Sequence, residues 1–436
     1  MSLSPKRCIV LLIDGISTTK FESLLASGLL PNFQKLRETG TYIPTSISSF
    51  PSVTGPAHIP IFTGKSPNFF GITGHNQFYR NFRYFDNYLA NYAAFNNQLG
   101  DSETIFDYYQ NSIAVGELVY KGATKSVRYD TAIWSWLFRN DCNTSQVIRR
   151  IKKEYHRGRD LITAWFVNSD ALQHMWPRGR ALIKMLQKID RFLGEFEKLN
   201  DGQTKIVICS DHGMERSFKF FRLKKAFREL GLLINKMKFN FDGGAFAQIY
   251  FKQAHQDRFS RRKISYKSFR HYVLNPTHFY PMMQRLAESP ALEFLILQER
   301  TKIYVFSAQG VATVSQKNKK YFYKALEGQD PFEYSKDPIA KKLLQHWASA
   351  KECLKLSQHT NYPDAIYQVY QLLNVKNAGE LIVTAAPHIS FNRITPNGVH
   401  GGLRREQMVS PFLSSEKIPH APQYMRSTEI FQFLKP

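Results

Sequence analysis

Cys8-Ile-Val-Leu-Leu-Ile-Asp14-Gly15 is an unbroken apolar run that ends in a carboxylate and a turn residue. Such a run, without polar alternation, fits a strand covered on both faces of a parallel sheet. Ligands of open α/β sheets bind beyond the carboxyl ends of the strands, which puts Asp14 where chemistry would sit. The pattern recurs twice. Leu161–Val167 runs into Asn168-Ser-Asp170, and Lys205–Cys209 runs into Ser210-Asp211-His212-Gly213. Helical periodicity lies between: Val147, Ile151 and Tyr155 in Thr144–His156, then Leu182, Leu186, Ile189, Leu193 and Phe196 after Pro177. Strand, helix and strand in alternation predict an α/β fold, a mostly parallel central sheet with helices on both faces. Parallel strands would bring Asp14, Asp170 and Asp211 to one edge.

Earlier in the chain, helices are expected at Thr19–Ala26 and from Pro31, a good first helical residue, to Glu38. A strand at Thr41–Ser49 leads into Ser48-Ser-Phe-Pro-Ser-Val-Thr54-Gly-Pro-Ala-His58. A helix beginning at Thr54 would aim free amides at an anion, although Pro60 predicts a kink or a late start. A helix at Ser102–Gln110 and a strand at Ser112–Glu117 are also expected.

The second half is less regular. Strands are expected at Ala245–Phe251, Leu292–Leu297, Ile303–Ser307 and Glu380–Thr384, with a mainly helical stretch from Gln316 to Ala378 and a last helix near Arg426–Leu434. The expected division is a core of residues 1–252 and 379–436, with 253–378 as an inserted, partly helical and basic cap. Gln256–His271 interleaves Arg258, Arg261, Arg262, Lys263, Lys267 and Arg270 with Phe259, Tyr266 and Phe269. That mixture suits either phosphate or base contacts or a solvated insertion.

Composition narrows the class. A chain of 436 residues with 43% hydrophobic content can bury a large core, and no low-complexity tract points to disorder. A formal charge of +24 favours anionic partners: phosphorylated small molecules or lipid headgroups, with nucleic acid and peripheral contact with an anionic membrane left open. Cys8, Cys142, Cys209 and Cys353 are scattered, so a disulfide framework is not expected and a reducing compartment is the default. The N-terminus lacks a signal-peptide pattern and no run approaches the ~20 apolar residues of a membrane span. The expectation is a cytoplasmic protein, with export by a route lacking a cleaved N-terminal signal left open.

Each polar candidate is weak alone, because a strand-end aspartate is often a helix cap and a single histidine is usually structural. Their combination is more specific. Asp170-x-x-x-His174 and Asp211-His212 pair carboxylates with imidazoles, and with Asp14 and His400 they make six ligands of a kind suited to zinc, manganese or iron. Six ligands suffice for two divalent cations, and two adjacent cations can stabilise the attacking and leaving oxygens of an in-line displacement. A threonine hydroxyl is a poor nucleophile at neutral pH unless a cation favours its alkoxide. Thr54 is the candidate.

In chain order, Asp14, Phe50-Pro-Ser-Val-Thr54, Thr63-Gly64, Asp170-x-x-x-His174, Ser210-Asp-His-Gly-Met214 and Val399-His400-Gly401 resemble the alkaline phosphatase superfamily. The resemblance is closest to its type I nucleotide pyrophosphatase/phosphodiesterase branch and spans the chain from about Arg7 onward, weakening across the insertion. It implies an alkaline-phosphatase-like fold and two metals, most readily zinc. One would be held by Asp14, Thr54, Asp211 and His212, the other by Asp170, His174 and His400. It also implies a covalent phospho-threonine on Thr54, and the threonine speaks against the sulfatase branch. Where the phosphodiesterase branch carries an oxyanion-binding Asn in a Gly-Ile-x-Gly-Asn element, this chain reads Gly71-Ile-Thr-Gly74-His75-Asn76. Either His75 or Asn76 is then the donor, and the Asn76-Gln-Phe-Tyr79 run favours Asn76. His58 is left as a supporting or packed residue.

The leading expectation is a two-metal hydrolase of phosphodiesters or pyrophosphates. One rival keeps the site and changes the substrate to a phosphomonoester or phosphonate. Another is a basic nucleic-acid- or membrane-surface-binding protein with a vestigial metal site, which the intact ligand set disfavours.

Overall fold

The computed structural model describes residues 7–79, 84–129, 135, 137–138, 140–176, 179–199, 202–230, 237–251, 279–299, 301–375, 377–393 and 397–436. The basic stretch Gln256–His271 lies outside them. The chain divides into two compact units, one of residues 1–216, 397–400 and 406–436, the other of 217–396 and 401–405.

The first unit is built on an eight-stranded sheet. Its order is Tyr424–Arg426, Thr41–Ile47, Val409–Ser414, Thr204–Cys209, Arg7–Ile13, Leu161–Phe166, Ser112–Val115 and Lys125–Val127. Only Val409–Ser414 runs against its neighbours. Arg7–Ile13 sits centrally and alternates between two cores. Ile9, Leu11 and Ile13 pack with Phe33, Ile151, Leu186 and Ile189 on one face. Cys8, Val10 and Leu12 pack with Ile59, Phe62, Phe106 and Phe412 on the other. An apolar residue at every position is therefore required, and each fully buried aliphatic side chain contributes roughly 1.5–3 kcal/mol. The helices Pro31–Thr39, Thr144–His156 and Arg180–Leu199 cover the first face. Asp190 ties two of them together by accepting the Asn32 and Phe33 amides at 2.9 Å, both orphan donors of a helix N-terminus.

Strand register gathers the candidate ligands. Ile13 pairs with Phe166 and Leu12 with Cys209, all in parallel, so Asp14, the Asn168–Met175 helix and Ser210-Asp211-His212 leave the sheet at the same edge. The Thr54–Thr63 helix starts at Thr54 and continues past Pro60, so the late start expected from that proline does not occur. Its ring removes only the bond to the Pro56 carbonyl. Ser102–Gln110 holds one 3₁₀ turn, Ile105–Tyr108, in place of the expected helix, and Asp107 and Thr104 close it as a capping box.

The second unit is different in kind. Among the described residues its main sheet has eight antiparallel strands, in the order Met237–Asp242, Phe246–Phe251, Leu381–Ala385, Leu292–Glu299, Lys302–Ser307, Gly310–Lys317, Lys320–Gly328 and Ala348–Ser349. Two expectations differ from this. The Phe246–Phe251 and Leu381–Ala385 strands, assigned to the core by their apolar runs, hydrogen-bond into this second sheet. Lys320–Gly328, within the Gln316–Ala378 stretch expected to be mainly helical, is a strand that forms a hairpin with Gly310–Lys317. Its two-residue turn is Asn318-Lys319, with φ of 52° and 60°, the left-handed pair that hairpins favour. Among the described residues no helix is long and apolar enough to cross a membrane.

Candidate metal and phosphoryl site

Local structure presents each side chain in its own way. Gly15 takes φ +70° directly after the first strand, and a Cβ there would stand 3.1 Å from Asp170 Oδ1. The turn therefore needs glycine to bring Asp14 and Asp170 together. The Asn168–Met175 helix puts Asp170 and His174 on one face, with His174 Nε2 3.3 Å from Asp170 Oδ2. Gly398–Val399 pairs with Glu215–Arg216 and delivers His400. A Cβ on Gly398 would meet the Gln173 carbonyl oxygen at 2.5 Å, so only glycine lets that strand approach the helix.

All seven expected ligands converge, and they do so in two sets. His212 Nε2 lies 3.3 Å from Thr54 Oγ1, 3.4 Å from Asp14 Oδ1 and 3.3 Å from Asp211 Oδ2. His400 Nε2 lies 3.2 Å from His174 Nε2 and 3.5 Å from Asp170 Oδ1. The His212 and His400 rings stack at 3.9 Å between the sets. The opposite ring nitrogens are held by carbonyls: His174 Nδ1 by Gly398 at 2.8 Å, His400 Nδ1 by Ser52 at 2.8 Å and His212 Nδ1 by Gly213 at 3.0 Å. Each Nδ1–H donating outward leaves Nε2 as a lone-pair donor to the interior, the tautomer a metal-binding histidine needs.

The interior is electrostatically unbalanced. Asp14 Oδ1, Asp170 Oδ1 and Asp211 Oδ2 are buried and make no hydrogen bond. Burial, then Asp211 and Asp170, push the Asp14 carboxyl well above the usual carboxylate range. Burial would also raise Asp170, but His174, His400 and His212 hold it below that range. Asp211, raised by burial, is brought down to about 2 by His212 and His58. Burial and then His212 push His400 well below the usual histidine value. Orphaned carboxylate oxygens facing lone-pair nitrogens are a fit for cations. Within the cluster, Asp170, His212 and His400, and separately Asp14, His58 and Asp211, offer ligand atoms within 4.8 Å of one another.

His75 lies against the Thr54 corner: a Cβ on Gly55 would stand 3.3 Å from its Cδ2. Its Nε2 is buried without a hydrogen bond, and burial, then His212, lower its pKa to about 3. Asn76 begins the Asn76–Tyr79 strand, opposite Asn87. Sequence reasoning missed two residues. Trp165 donates its indole N–H to Asp14 Oδ2 at 2.9 Å, and buried Glu117 stands near His58. Each lies in or beside a sheet strand and looked like filler; Glu117, a carboxylate at a strand end, carried the same signal as Asp14.

The family model for type I phosphodiesterase / nucleotide pyrophosphatase matches residues 8–287, which include every candidate ligand except His400. The chain belongs to that family, within the alkaline phosphatase superfamily. An uncharacterized pyrophosphatase/phosphodiesterase of Schizosaccharomyces pombe is 26% identical over 231 residues, 47% of this chain and 44% of the relative, so the chain aligns with less than half of that protein's length. Phosphonoacetate hydrolase from Sinorhizobium meliloti, solved with phosphonoformate, is similar in fold at TM-score 0.60 and 15% identity, covering 99% of this chain and 95% of the other. Murine ectonucleotide pyrophosphatase/phosphodiesterase 5, solved as an inactive threonine-to-alanine variant with AMP, gives TM-score 0.55 at 15% identity, covering 98% and 94%. The fold class expected from the sequence agrees with these structures.

Proposed function

We propose that the protein is a two-metal phosphoryl hydrolase that cleaves phosphodiester or pyrophosphate bonds through Thr54. The observation that carries this reading is the spacing of the ligand atoms. Four-coordinate zinc at Zn–N and Zn–O lengths of about 2.0–2.1 Å puts neighbouring ligand atoms about 3.3–3.4 Å apart. The separations around His212 Nε2 are 3.3–3.4 Å, and those around His400 Nε2 are 3.2–3.5 Å. Asp14, Thr54, Asp211 and His212 would hold one cation, and Asp170, His174 and His400 the other; manganese and iron accept the same donors. Bound there, the cations would supply Lewis-acid charge to the phosphoryl oxygens and lower the pKa of the Thr54 hydroxyl.

The chain's own groups do the rest. Thr54 Oγ1 attacks phosphorus in line, forming the Thr54 Oγ1–P bond as the bond to the leaving oxygen breaks. Water then cleaves the phospho-threonine and restores the hydroxyl. Thr54 opens the Thr54–Thr63 helix, whose first amides have no carbonyl partner within the helix and face the transferring group. His75 Nε2, buried and unpaired beside Gly55, or Asn76 one residue later, donates to a phosphoryl oxygen. A phosphorylated small molecule is the substrate class that fits the family.

Thr54→Ala, loaded with zinc, should lose at least roughly 10³-fold in kcat on a chromogenic phosphodiester while keeping its metal content. Full activity in that variant would sink the nucleophile. The full-length similarity to a phosphonate hydrolase supports a second reading, in which the same residues act on a phosphomonoester or phosphonate. Specific activities on matched diester, monoester and phosphonate probes separate the two.

A further inference from the structure

Behind Asp211 lies a row of side chains that neither metal set uses. His58 Nε2 is 3.5 Å from Asp211 Oδ2, and His58 Nδ1 is 3.9 Å from Glu117 Oε2. The side chains of His58, Glu117 and Asp211 are wholly buried. Both ring nitrogens of His58 and both carboxylate oxygens of Glu117 make no hydrogen bond. Trp165 walls the row, its ring meeting His58 edge-on at 4.9 Å while its indole N–H holds Asp14 Oδ2.

A buried carboxylate beside a buried imidazole, both short of partners, is expensive unless the two act together. Packing alone would place an apolar residue at either position more favourably. The separations also exceed hydrogen-bond length by only a few tenths of an ångström to about one, so a small inward shift closes both gaps.

We propose that Glu117 and His58 form a buried positioning relay for Asp211. Glu117 and His58 share one proton between Oε2 and Nδ1, and His58 donates a second, on Nε2, to Asp211 Oδ2. Asp211 Oδ1 accepts the Gly15 amide at 3.2 Å, so the relay fixes the other oxygen and with it the carboxylate plane. Asp14 and Asp211 would then be oriented alike, each by an aromatic N–H, from Trp165 and His58 respectively. Partners of this outer kind typically change metal affinity 10–100-fold. The relay rests on the two-metal reading of the site.

Zinc affinity by competition with a chromophoric chelator tests it, alongside the Tm of the metal-free protein. Wild type is measured first, and zinc-free wild type would overturn the two-metal reading and the relay with it. With two zincs in wild type, His58→Leu should weaken one equivalent roughly 10–100-fold. His58→Gln, whose amide N–H reaches the Nε2 position, should recover to within about 3-fold of wild type. Glu117→Leu should fall between them, since it frees the ring but keeps the donor. Unchanged zinc affinity in His58→Leu and Glu117→Leu, with only Tm lowered, would reduce the pair to packing and overturn the relay. Complete loss of one zinc in both His58→Leu and His58→Gln would make His58 a direct ligand, which also overturns it.

Discussion

Two buried clusters of carboxylate and hydroxyl groups, one in each unit, show how the same residue type serves opposite ends. In the second unit Asp330 is 2% exposed and fully satisfied. Its Oδ1 accepts the Tyr323 hydroxyl and the Tyr334 amide, both at 3.1 Å, and its Oδ2 accepts the Ser335 amide at 2.8 Å and hydroxyl at 2.6 Å. In the first unit Asp14 is equally buried, yet Oδ1 has no hydrogen bond and two other carboxylates stand near. Asp330 stitches a loop; Asp14 holds a charge that the protein alone leaves unbalanced. What distinguishes a structural aspartate from a candidate ligand is the donor it lacks.

The contrast breaks most sharply if both respond alike to Asp→Asn. Asp330→Asn should destabilise by about 3 kcal/mol, because one oxygen becomes a donor among donors, with zinc content unchanged. Asp14→Asn should instead stabilise the metal-free protein by about 1–2 kcal/mol while abolishing high-affinity binding at one metal site. Denaturant melts and metal analysis on both variants check the signs.

Dependence on pH sharpens it further. The Asp14 carboxyl is raised in the folded state, so the metal-free fold binds more protons than the unfolded chain. Its stability should fall as pH rises above the unfolded value of about 3.9, and saturating zinc should remove that fall. Glu154 behaves oppositely. Its buried carboxylate meets Arg159 Nε at 3.0 Å, Arg157 at 3.0 Å and Arg150 at 3.2 Å, and these hold it below its ordinary value against the cost of burial. That stability is present above the unfolded value of about 4.3 and is lost as pH falls through it toward the folded value. Glu154→Gln should flatten the acid limb of Tm against pH. The smallest effect belongs to the second unit's hairpin: Lys319→Gly, at φ 60°, should stabilise by about 0.5 kcal/mol in a melt.

How much was legible depended on the range of the signal. The three strand-end aspartates and their histidines were readable because an apolar run, a turn and an adjacent ligand are local patterns. The same locality misled at Gln316–Ala378, where Lys317-Asn-Lys-Lys320 looked like polar helix and the left-handed Asn318-Lys319 turn went unread. It also misassigned Phe246–Phe251 and Leu381–Ala385, because an apolar run does not say which sheet it joins.

By itself the sequence determined the parallel strands, the edge they share, Thr54 at a helix start and the residues that are candidate ligands. These rest on residue type and spacing of a few positions. Tertiary structure alone decided the 3.2–3.5 Å separations at which the candidate ligands meet, that His75 lies against the Thr54 corner, and that Glu117 and His58 stand behind Asp211. The physical reason is common to all three: they are distances between side chains carried on different strands and helices. Such distances are set by sheet register and by glycines that permit close approach, and neither leaves a periodic trace in the chain.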